Sequence, residues 1–75
     1  MATVGTESMQ PPRLSSREML ALQLAALGYS PDATAALRRA GVAEVLLDLQ
    51  AALTALGAVT LHEAIAEAQR RGLIL

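Results

Sequence analysis

His62 stands beside Glu63, and the six basic residues, all arginine, include two adjacent pairs, Arg38-Arg39 and Arg70-Arg71. A histidine next to a carboxylate invites an acid–base or metal reading, and paired arginines invite a phosphate clamp. Neighbouring positions on a helix do not face each other, so His62 and Glu63 are poorly placed to act together, and His62 reads as a surface residue. Each arginine pair closes a helical stretch, where cations offset the dipole of the last carbonyls. They read as helix-terminal charges rather than phosphate clamps. There is no cysteine, hence no disulfide, thiolate ligand or thiol nucleophile. With no nucleophile–base pair, no glycine-rich phosphate loop and no paired carboxylates, the chain reads as no enzyme, with no cofactor, metal or small-molecule ligand implied.

The elements that would carry these residues are readable from their ends. The chain has 75 residues, enough for one domain, and is 53% hydrophobic with a single aromatic residue, Tyr29. Residues 1 to about 13, MATVGTESMQPPR, lack the basic start and apolar run of a secretory signal and read as a flexible arm. Ser15 followed by Glu18 forms a capping-box pattern, with Leu14 and Met19 as its staple, opening a helix to about Leu27 that stops at Gly28. Ser30, Pro31 and Asp32 open a second helix, expected to run through Ala40 and end at Gly41. A third spans about Ala43 to Leu56 and stops at Gly57. The fourth runs from Leu61 to Arg71, with Thr60 as cap and Gly72 as stop. Tyr29 is expected where the first two helices meet, its hydroxyl in water.

The third helix, with its neighbours the most apolar part of the chain, decides most about function. The stretch from Val42 to Leu61 contains Glu44, Asp48, Gln50 and Gly57, which rules out a bilayer span, so no membrane is implied. At about 100° per residue, Val45, Leu49, Ala52, Leu53 and Leu56 share one arc, and Leu46 extends it. Leu47 projects nearly opposite, beside Gln50 and Thr54. Leu46 and Leu47 are therefore either edge-of-core and tolerated surface leucines, or anchors for a partner.

From Leu14 to Ile74, without a gap, the chain resembles the LuxR/GerE-type helix-turn-helix domain of bacterial transcription regulators. Leu14, Ser15, Arg17, Glu18, Leu22, Leu24, Ala26, Gly28 and Ser30 carry the opening of the pattern. Ala35, Val45, Leu56 and Gly57 carry its middle, and Glu63, Ala64, Ile65, Ala68, Gly72, Leu73 and Ile74 its end. The resemblance implies an all-α, four-helix LuxR/GerE-like helix-turn-helix domain over residues 14–75, with the third helix in the place of the DNA-reading helix. It also implies a homodimer through the fourth helix, whose outer positions are His62, Ala66, Gln69 and Arg70; a monomer with a solvated polar face is the alternative.

The chain departs from the family where DNA would be touched. Glu44, Leu46, Asp48 and Ala55 stand at positions that match family DNA contacts, and none is basic. A net charge of −1 points the same way. Arg38 stands where the family has a buried leucine and Gly41 where it has a capping serine; Leu37 and Val42 are the residues that could supply the missing apolar volume. The expectation is a module of regulator descent, free-standing and cytoplasmic, that homodimerises or binds a partner regulator protein through Leu46, Leu47, Gln50 and Thr54, with DNA binding weakened or lost. The alternative is a working sequence-specific DNA-binding regulator.

Overall fold

The computed structural model describes residues 14–75, so the expected arm over residues 1–13 lies outside the described residues. Four helices follow in order: α1 Ser16–Ala26, α2 Pro31–Arg38, α3 Val42–Leu56 and α4 Leu61–Arg70. No strand occurs among the described residues, and the fold is all-α. No single helix there is long and apolar enough to cross a membrane.

The caps explain most of the boundaries. Ser15 Oγ accepts from the Glu18 N–H at 3.1 Å, and Glu18 Oε1 accepts from the Ser15 N–H at 3.0 Å, so the expected box is complete. Ser30 Oγ accepts from the Ala33 N–H at 3.1 Å, with Pro31 at the first helical position. Thr60 caps α4 through Glu63, and here too the box closes, because Glu63 Oε1 accepts from the Thr60 N–H. Gly57 ends α3 in the left-handed region at φ 68° with open space around it, so the backbone angle rather than crowding calls for glycine.

The end of α2 differs from expectation. The helix stops at Arg38, and Arg39 rather than Gly41 takes the left-handed conformation, at φ 54°. The Arg39 N–H then donates to Ala36 O and the Ala40 N–H to Ala35 O. Those bonds satisfy carbonyls that a helix end leaves open. Gly41 is instead the extended N-cap of α3, and Glu44 Oε1 accepts from its N–H at 3.0 Å.

Helices α1 and α3 form the centre, and α2 and α4 each pack on both of them without touching one another. The buried apolar set is Ala21, Leu22, Ala35, Val45, Leu49, Ala52, Leu56, Ala64, Ala68 and Ile74. Alanine supplies half of it, which brings helix backbones close together. After α4 the chain turns at Gly72, with the Leu73 N–H on Ala68 O, and drops Ile74 into the core. Gln23 Oε1 accepts from the Leu75 N–H at 2.9 Å and Gln69 Nε2 donates to Leu75 O at 3.1 Å, tying the tail to α1 and α4.

Candidate functional site

The residues singled out by sequence fall on two surfaces and, unexpectedly, on one buried cluster. The first surface is the outer face of α3. Leu46 is 51% exposed and Leu47 69%, and Ala43, Gln50 and Thr54 are exposed along the same side. The Thr54 hydroxyl donates back to Gln50 O at 3.1 Å, leaving the face little free donor capacity at that end. From Ala43 to Thr54 none of these five outward residues is charged. Glu44, at the edge, spends one carboxylate oxygen on the Gly41 N–H. Ala55 is half-buried on the flank and does not join this surface.

Asp48 is not on that face. It is 8% exposed and lies among the buried residues of α3, so, unlike a side chain at a DNA-contact position, it is not offered outward. Against the expected arc, the buried face is turned about 40° toward Asp48, with Leu53 only half-buried and Leu46 outside. The cause is a pair of cations. Arg38 Nη2 donates to Asp48 Oδ2 at 2.9 Å, with both side chains nearly enclosed at 11% and 12% exposure. Arg17 Nη2, from α1, approaches the same carboxylate at 3.4 Å while staying largely in solvent. One carboxylate thus joins α1, α2 and α3. A charge can be buried when it is paired and hydrogen-bonded, and this one is.

Two further expectations change with it. Arg38 reaches inward to Asp48 instead of lying over the last carbonyls of α2. Leu37 is 58% exposed and Val42 38% exposed, so they do not replace the apolar volume expected at position 38. The Arg38–Asp48 pair fills that place. Arg38 Nη1 is buried with no hydrogen-bond partner among the described residues.

The second surface is the outer face of α4. His62, Ala66, Gln69 and Arg70 are all exposed there, as the helical spacing predicts. Gln69 is already engaged by the tail through Leu75. Arg70 and Arg71 both pair with Glu67. Their hydrogen bonds, Arg70 first, hold the Glu67 carboxyl below its ordinary range, and Glu67 in turn raises Arg70. Ala66 and Arg70 border an open groove of about 500 Å³ whose apolar wall is Leu56, Ala58 and Val59. His62 and Glu63 do not form a working pair, since Glu63 is committed to the Val59 and Thr60 N–H groups. No group of three or more metal-ligating side chains gathers among the described residues.

The buried cluster is not visible in any one stretch of sequence, because its members come from three helices and lie 10 and 31 residues apart. The signal available was that Arg38 and Asp48 are both departures from the resembled pattern, opposite in charge, at positions that face each other across α2 and α3. No protein family, curated protein or solved structure matches the chain.

Proposed function

We propose that the chain is a LuxR/GerE-like helix-turn-helix module of transcription-regulator descent, cytoplasmic, that acts by protein association and has weak DNA binding or none. The observation that carries this reading is the uncharged outer face of α3, with Leu46 and Leu47 exposed and both acids of the helix's first half committed elsewhere. Affinity for duplex DNA rests first on cations set against phosphates, and this face has none to offer. Exposed leucines rimmed by Gln50 and Thr54 suit an apolar partner surface instead. The partner is a second copy or another regulator protein, with the α4 face around Ala66 as a further contact for homodimers.

The second reading, a sequence-specific DNA-binding regulator, draws support from Arg17 of α1 and Arg39 of the α2–α3 turn, both of which are exposed. A titration with random duplex DNA at low salt separates the two. The association reading expects no saturable binding at micromolar protein, and micromolar binding that weakens steeply with salt would overturn it. Light scattering of the wild type and of Leu47→Lys tests the face directly. The variant should run at lower molar mass, and equal masses remove Leu47 from the interface.

A further inference from the structure

We propose that α2 is a latched helix: the Arg38–Asp48 pair closes it against α1 and α3, and α2 can swing away as a unit while the other three helices stay packed. It has eight residues, too few to hold helical structure by themselves, so its order depends on what it packs against. Yet it buries only Thr34 and Ala35, two small side chains, while Ala36 and Leu37 face solvent. It does not touch α4, so the fourth helix does nothing to secure it. The strongest single tie is the enclosed ion pair at its last residue, 2.9 Å from guanidinium to carboxylate.

The closed position carries two costs that opening would relieve. Arg38 Nη1 is buried without an acceptor and would gain water. Arg39 sits in a left-handed conformation unfavourable for an arginine and would be released from it. Asp48 would not be stranded, because Arg17 of α1 remains beside it at 3.4 Å. Both ends of α2 have residues able to absorb the movement, Gly28 at φ 99° before it and Arg39 with Gly41 after it. A contact that is strong when closed, a relieved strain when open and a standby cation for the abandoned carboxylate together describe a two-position element.

Hydrogen exchange on the whole chain tests this. The Thr34 and Ala40 amides, bonded to Ser30 O and Ala35 O, report closure of α2. They should exchange at least about tenfold faster than the Ala52 and Leu56 amides of α3, and with a weaker denaturant dependence, since a local opening exposes less surface. Equal rates with equal denaturant dependence would mean that α2 opens only when everything does, and would overturn the proposal. In Arg38→Gln, which keeps Arg17 beside Asp48, α2 amides should accelerate by a further factor of about ten with α3 amides changed much less. The same acceleration in both helices would also overturn it. If that variant does not fold, the wild-type comparison still decides.

Discussion

Helices α2 and α4 each pack against both α1 and α3 and carry arginines at their C-terminal ends, but the two ends are used in opposite ways. In α4, Arg70 and Arg71 pair with Glu67 on the surface, while Ala64, Ala68 and the inserted Ile74 do the packing. In α2, the packing side chains are few, and Arg38 is drawn inward to a carboxylate of another helix. Ion pairs in solvent contribute little, because water and salt screen them and ordering long side chains costs entropy. An enclosed pair behaves differently: removing one member strands the other charge. The same residue type at the same helical position is thus ornament in one helix and structure in the other.

The most direct way to break this comparison is Asp48→Ala. It takes the shared carboxylate from both arginines, and a loss of about 3 kcal/mol in denaturant unfolding is expected from stranding an enclosed Arg38. A loss below about 1 kcal/mol would put the Arg38–Asp48 pair in the same class as the surface pairs of α4. Arg39→Gly sharpens the comparison from the other side. It removes the left-handed strain at the end of α2 and should stabilise by about 1 kcal/mol, raising Tm by several degrees. An unchanged or lower Tm would show that the arginine side chain compensates for its own backbone.

The smallest effect belongs to Glu67→Gln, which at pH 7 and moderate salt should leave Tm within the scatter of repeat melts. Its sign with pH is fixed. Because Arg70 and Arg71 depress the Glu67 pKa below its ordinary value of 4.5, its contribution is complete above that value and fades as pH falls through the depressed one. Any gap between wild type and variant should therefore narrow on acidification below pH 4.5, and a gap that widens would contradict the surface pairing.

What could be read in the sequence was whatever is decided locally. Ser15, Ser30 and Thr60 start helices because a side-chain oxygen meets an amide three residues on, and Gly28, Gly57 and Gly72 end them, so four helices and their order were legible. The outward direction of Leu47 followed from helical periodicity alone. The end of α2 was not legible, because Gly41 offered the favourable left-handed residue and the chain used Arg39 instead. The inward turn of Asp48 was not legible either. Burying a carboxylate depends on cations 10 and 31 residues away, which only the packed structure brings to it. The helical spacing does set Asp48 within about 60° of both Val45 and Ala52, close enough for the core to take it once its charge is paired.

The alanines at the centre bear on how such a chain can diverge. At Ala21, Ala35, Ala52, Ala64 and Ala68, all at most 5% exposed, any larger side chain must push two helix backbones apart. Those positions can hardly drift upward in size and have almost nothing to lose by drifting down. Sequence change is therefore channelled to the outer faces of α3 and α4, so copies of this fold would come to differ in the surfaces they present long before they differ in shape.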